Sequence, residues 1–316
     1  MKVIRGIPSS LNWTPCALTI GNFDGVHRGH QALLQQLVQM AQQQGLKSCV
    51  MTFEPHPIEY FTPQQAPSRI SNLRDKLAAI AQTGIDYVVV EHFNKSFSAL
   101  SHQEFTERIL HKGLKTRAVL IGDDFRYGAK RLGNFDTLTQ AGHQHGFSVQ
   151  QMPTIGLGDL RISSSATREA LAIGDMSLAA TLLGRPYMIS GHIAHGQKLG
   201  RQWGFPTLNI AVANRLHKRK PATEGIFVAR VHGLGDNPLS AVASLGMRPT
   251  VDDSGRYLLE VHIFDFDKTV YGKLVQIELV KKIRDEKKYP DVDQLQAAIH
   301  ADCQVAKNYF KTLNHV

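Results

Sequence analysis

Cysteine is scarce in this sequence: three residues, Cys16, Cys49 and Cys303, scattered through 316 positions with no CxxC pair. An odd number at such spacings supports neither a disulfide framework nor a zinc ribbon, and it fits a reducing compartment. Long apolar runs are missing as well. None approaches the roughly 18 residues that a bilayer crossing needs, and the start MKVIRGIPSS has no extended apolar segment leading to a small-residue cleavage site. The expectation is a cytoplasmic chain with no membrane association. Low-complexity tracts and internal repeats are absent too, and with 42% hydrophobic and 20% charged residues the chain has the composition of a folded globular protein. Its length exceeds what one hydrophobic core usually serves, which predicts two domains. No GxxxxGK[ST] occurs, so a Walker A cradle is excluded.

Charge is present in excess of one sign. The formal net charge of +9 suits either a nucleic-acid surface or pockets for phosphates. The densest basic runs, Arg215 to Lys220 and Lys281 to Lys288, are not interleaved with the aromatics of a stacking platform, so no nucleic-acid partner is expected.

Up to about residue 184, short apolar runs alternate with helical patterns, the signature of βαβ units and a parallel sheet. ALTIG (17–21), KSCVMTF (47–53), YVVV (87–90) and AVLIG (118–122) read as strands. Between the first two, Leu33, Leu34, Leu37, Val38, Met40 and Ala41 recur at helical spacing and predict a crossover helix over about 29–44. In such doubly wound sheets ligands bind beyond the carboxyl ends of the strands. From about Pro186 the texture changes to short β-like runs with Gly and Pro turns, which predicts an antiparallel barrel or sandwich. A helix over about 291–310 closes it, with Leu295, Ala298, Ile299, Cys303 and Ala306 on one face. The expected domains are 1–184 and 185–316.

GNFDGVHRGH (21–30) follows the first strand and runs into the crossover helix. Gly21, Gly25 and Gly29 permit a tight turn and close backbone approach, and a helix start presents unpaired N–H groups to an anion. His27 and His30 lie three apart on one face of the first turn, where imidazoles can donate to phosphoryl oxygens. Read alone, a His-x-x-His pair is most often a satisfied surface pair, and as a metal site it lacks a third ligand nearby. A second segment, RISSSATREAL (161–171), sets Ser163, Ser164 and Ser165 before a helical run with Arg168 in its first turns; the hydroxyls suit capping and the guanidinium suits phosphate.

Strand, glycine turn, two histidines and helix start together resemble the HxGH signature of the nucleotidyltransferases, and RISSSATR resembles their ISSTxxR element, with Ser165 in place of Thr. With TFEPHP (52–57) and GDDFRYG (122–128), the first half resembles the adenylyltransferase half of the bacterial bifunctional riboflavin kinase/FAD synthetases. HGQKLGRQWGFPTLNI, SLGMRPTV, LLEVHIFDFDKTVYG and KKIRDEKKY resemble the kinase domain of the same family. The resemblance spans nearly the whole chain. It implies an α/β nucleotidyltransferase domain with a Rossmann-like, doubly wound parallel sheet, then an all-β six-stranded barrel with a C-terminal helix. The implied chemistry is phosphorylation of riboflavin to FMN by ATP in the second half and adenylylation of FMN to FAD in the first; the alternative is that only one activity is retained.

By the same resemblance His27, His30 and Arg168 serve adenylyl transfer, and Gly21, Asn22, Phe23, Asp24, Gly29 and Ser163 to Ser165 hold its nucleotide. Phe53, Pro55, His56, Asp124, Phe125 and Tyr127 lie near the flavin, Tyr127 standing where Phe is common. Gly196, Lys198 and Gly200 wrap the kinase ATP, Thr207 and Asn209 hold magnesium, Glu260 is the general base, and Arg284 reaches the product phosphate. Leu208 departs from the usual Ala, but strand alternation turns it away from Thr207 and Asn209. Mg²⁺ is the implied cofactor; ATP, riboflavin, FMN and FAD are the implied ligands.

Overall fold

Strand β2 (Cys16–Ile20) is buried at every position, as expected of an apolar run in a parallel sheet covered on both faces. It sits inside a six-stranded sheet with β1 (Lys2–Arg5), β3 (Lys47–Phe53), β4 (Tyr87–Glu91), β5 (Thr116–Gly122) and β6 (Ser148–Met152), in the order β1-β4-β3-β2-β5-β6 with every pairing parallel. The four strands expected from the sequence are all present. Both edge strands, β1 and β6, are additional. They are short and largely exposed, so neither carries the apolar signature of a buried strand.

The computed structural model describes residues 1–8, 13–157, 160–195, 204–211, 220–247 and 257–313. By contact the chain forms two compact units, Met1–Pro67 with Lys76–Ile162, and Ser68–Asp75 with Ser163–Val316. In the first, helix α1 (Arg28–Gln43) joins β2 to β3 and buries Leu34, Leu37, Met40 and Ala41, the stripe that its periodicity announces. Burial of each large apolar side chain contributes roughly 1.5–3 kcal/mol. Short α2 (Pro57–Phe61) follows β3, and α3 (Leu73–Ala81) precedes β4. Then come α4 (Lys95–Ser98), α5 (His102–Glu104), a π-helical stretch Phe105–Gly113, and α6 (Phe135–His145). A two-residue hairpin, β7 (Gly156–Leu157) with β8 (Leu160–Arg161), ends this unit.

The second unit begins with α7 (Ser164–Ile173) and α8 (Met176–Leu183) and is centred on a closed antiparallel barrel. Its strands are β9 (Met188–Ala194), β10 (Leu208–Ala211), β11 (Gly225–His232), β12 (Leu239–Met247), β13 (Tyr257–Ile263) and β14 (Leu274–Arg284), ordered β10-β13-β12-β11-β14-β9. Of the two all-β architectures left open by the sequence, the barrel is observed. Along β13, Tyr257, Leu259, Val261 and Ile263 are buried while Leu258, Glu260 and His262 are half-buried, the alternation of a strand with one face inward. Helix α9 (Val292–Leu313) lays Cys303 and Ala306 against Val228 and Val242 on the outer face, as its apolar stripe predicts. Ser68–Asp75 belongs to this unit: Asn72 Nδ2 donates to the Ser190 carbonyl at 3.1 Å, the Asp75 carboxylate accepts Ser190 N–H at 3.1 Å, and Arg69 N–H donates to the Lys220 carbonyl at 2.9 Å.

Candidate active sites

Strand order reverses at β2. The chain fills β3 and β4 on one side of it and then returns to β5 and β6 on the other, so the segments leaving β2 and β5 stand at a topological switch point. The turn after β2 is strained: Phe23, Gly25 and Val26 take φ of +48°, +79° and +44°. Glycine adopts this freely, but a β-branched residue there is an outlier costing on the order of 1–3 kcal/mol, the kind of strain that collects at functional sites. Burial of Phe23 and Val26 holds the turn in place. It delivers His27 as the N-cap of α1, with Nδ1 accepting the His30 N–H at 3.3 Å, so that Nε2 is the ring donor of a neutral imidazole. The His27 and His30 rings stack with centroids 3.7 Å apart and planes at 16°, and the Phe23 ring lies 5.0 Å from that of His30. Gly29 makes this possible, since a Cβ there would come within 3.2 Å of the His27 ring. Asp24 and His27 are buried, and Asn22 is exposed with its carbonyl accepting Thr52 Oγ1–H at 3.2 Å.

The segment after β3 holds Phe53 in the core edge-on to Phe93, passes through a cis Glu54–Pro55 bond, and buries His56 at the start of α2. The Glu59 carboxylate accepts the His56 N–H at 3.0 Å. Tyr60 and Phe61, which the sequence reading passed over, form an edge-to-face group with Phe93 and stay largely exposed. Lys76 was also passed over. It is fully buried, with Nζ 3.0 Å from His56 Nε2 and 3.4 Å from Thr52 Oγ1. After β5, Asp124 is exposed and Phe125 half-buried. Tyr127 is a core residue stacked on Phe125 at 5.6 Å and bonded to Thr137 through its hydroxyl, with burial raising its pKa.

In the second unit Ser163 caps α7, its Oγ accepting Ala166 N–H at 3.1 Å, so Ser164 and Ser165 open the first turn. Arg168 donates from Nε to the Ser68 carbonyl at 2.7 Å, which fixes the base of the guanidinium. Across the barrel wall one row of directly opposed residues runs Asn209, Glu260, Ser244, Ile226, Arg284. Opposed residues share a face, so the metal-ligand candidate Asn209 and the base candidate Glu260 are neighbours. Asn209 is 8% exposed and its Oδ1 has no hydrogen-bond partner among the described residues. Thr207 lines a cleft of about 220 Å³ with Pro206, Ile263, Asp267, Thr269 and Tyr271.

Ser244 donates to Glu286 at 2.9 Å; burial raises the Glu286 pKa and that hydrogen bond opposes the rise. Arg284 is committed to Asp302 of α9 by two bonds, Nε to Oδ1 at 2.9 Å and Nη2 to Oδ2 at 2.6 Å, and the pair raises its pKa. Gly196, Lys198 and Gly200 lie outside the described residues.

A strand–turn–helix start with stacked histidines at the switch point of a parallel sheet, joined in one chain to a closed barrel on which Asn209 and Glu260 are neighbours, is the architecture of a two-domain α/β-plus-barrel enzyme. A family model for FAD synthetase matches residues 9–166, and one for riboflavin kinase matches residues 183–310. The chain belongs to the bifunctional riboflavin kinase/FMN adenylyltransferase family and carries both domains in that order. The protein of that description from Escherichia coli K12 is 44% identical over 313 residues, covering 98% of each chain; the one from Haemophilus influenzae is 42% identical, covering 99% of this chain and all of its own. A crystal structure described as a macrolide-efflux protein from Streptococcus pneumoniae superposes with a TM-score of 0.77 at 28% identity, covering 97% of this chain and 99% of that one. Among the described residues here no helix is long and apolar enough to cross a membrane.

Proposed function

We propose that this chain makes FAD in two ATP-dependent steps, with residues 185–316 phosphorylating riboflavin and residues 1–184 adenylylating the FMN. The observation that carries the first step is the row Asn209–Glu260–Ser244: a carboxylate beside an unsatisfied buried amide oxygen. Glu260 accepts the proton of the ribityl hydroxyl as it attacks the γ-phosphate. Asn209 Oδ1 and the Thr207 hydroxyl are hard oxygen donors of the kind that would hold Mg²⁺. A bound Mg²⁺ would supply neutralisation of the negative charge that builds on the triphosphate during transfer. Arg284, tied to Asp302, supports α9 against the barrel and offers phosphate only its remaining N–H groups.

In the second step the FMN phosphate attacks the α-phosphate of ATP and pyrophosphate leaves. His27 Nε2–H and His30, stacked at the start of α1, donate to phosphoryl oxygens as charge develops, aided by the helix N-terminus. Phe53, His56 and Phe125 border the flavin. The protein works in the cytoplasm, where riboflavin and ATP meet. Incubation with riboflavin, ATP and Mg²⁺ should yield FMN and then FAD on chromatography, and chelation of the metal should stop both. A flavin appearing as FMN alone, with FMN plus ATP also giving no FAD, would refute the second step.

A further inference from the structure

A lysine without solvent contact is rare, because its ammonium loses hydration unless its donors are used. Lys76 has zero exposure and lies among the polar groups just beyond the carboxyl ends of β2 and β3. Its Nζ is 3.0 Å from His56 Nε2 and 3.4 Å from Thr52 Oγ1, and Thr52 in turn donates to the Asn22 carbonyl at 3.2 Å. An ammonium has three donors and no acceptor. Facing a charged Lys76, Nε2 is the unprotonated nitrogen of His56, since a ring N–H there would set donor against donor about 3 Å apart. Thr52 Oγ1 accepts from Lys76 and spends its own hydrogen on the Asn22 carbonyl.

We propose that Lys76 is a positioning residue for adenylyl transfer, holding His56 as the neutral Nδ1–H tautomer and locking the segment TFEPHP to the turn GNFDGVH. The two segments leave adjacent strands, Ile20 pairing with Met51, and Lys76 reaches TFEPHP directly and the turn through Thr52. It acts through His56 and Thr52 rather than on the reacting phosphates. Its effect is on the geometry in which His56 and the His27 turn meet their ligands, where a displacement of about 1 Å costs on the order of a hundredfold in rate.

This rests on the adenylyl-transfer reading of the first unit, and two measurements separate the two claims. In the full-length wild-type chain, ¹⁵N spectra of His56 should show Nδ1 protonated and Nε2 bare; a protonated Nε2 overturns the proposal whatever the reaction. Lys76→Met should then lower kcat for FAD formation from FMN about 10- to 100-fold, with riboflavin phosphorylation intact. In a His56→Ala background the same substitution should add little. Unchanged FAD formation, or an equal loss in both backgrounds, would overturn the positioning role. Should Lys76→Met fail to fold, the wild-type spectrum decides. If instead the reading of the site is wrong, His30→Ala would leave FAD formation unchanged while the His56 tautomer stands as described.

Discussion

At the residue scale, burial governs what the isolated side chains of this protein do. Cys16 and Cys49 have no exposure and Cys303 has 4%, and burial pushes the Cys303 thiol up to about 11. Thiolate is the reactive form, so the native protein should react with a thiol reagent far more slowly than the same protein in denaturant, where three thiols titrate; one rapid native equivalent would contradict the burial. Asp75 shows the charged counterpart. Burial raises its pKa, and the hydrogen bonds from Ser190 and Asn72 offset this only in part. A carboxyl raised in the folded state contributes stability below its unfolded value and loses it as pH rises through the folded value. The Tm of Asp75→Asn relative to wild type should therefore be more favourable at pH 7 than at pH 4, and a pH-independent difference would refute the account. His27 and His30 were legible because glycines and a helix pattern surround them. Lys76 was not: its partners His56 and Thr52 are 20 and 24 residues away, and as one lysine in an amphipathic helix it reads as a solvated charge. Arg284 misleads for the same reason, its carboxylate partner Asp302 lying on another element.

At the element scale, strands buried on both faces announce themselves and edges do not. CALTI and KSCVMTF carry continuous apolar runs, whereas β6, SVQQM, is polar and mostly exposed, so only pairing with β5 makes it a strand. Phe105–Gly113 has an ordinary helical stripe, and its wider π turn depends on packing that spacing does not encode. Helices α7 and α8 lead into the barrel, and α8 packs on β14. A fragment of residues 185–316 should still convert riboflavin to FMN, since it keeps every barrel strand and α9. A fragment of residues 163–316 should melt several degrees higher, because the first cut uncovers the barrel surface beneath α8, and a loss of about 1 kcal/mol shifts Tm by a few degrees at this size. Equal melting temperatures would show that α8 adds nothing to the barrel.

At the scale of the whole molecule, the central claim is that one chain holds two chemistries on separate residues. The texture change near Pro186 made two halves visible in the sequence, while the outward row Asn209–Glu260–Ser244 needed the barrel's register to bring three distant strands together. The most direct test is a crossed product assay on two full-length variants. His30→Ala, supplied with riboflavin, ATP and Mg²⁺, should accumulate FMN and form FAD at least a hundredfold more slowly, the range for removing a donor to developing charge. Glu260→Gln, which keeps the side chain's shape but cannot accept a proton, should phosphorylate riboflavin about 10² to 10⁴ times more slowly, yet convert supplied FMN to FAD at close to the wild-type rate. Parallel loss of both products in either variant, or no loss in its assigned step, would contradict the account.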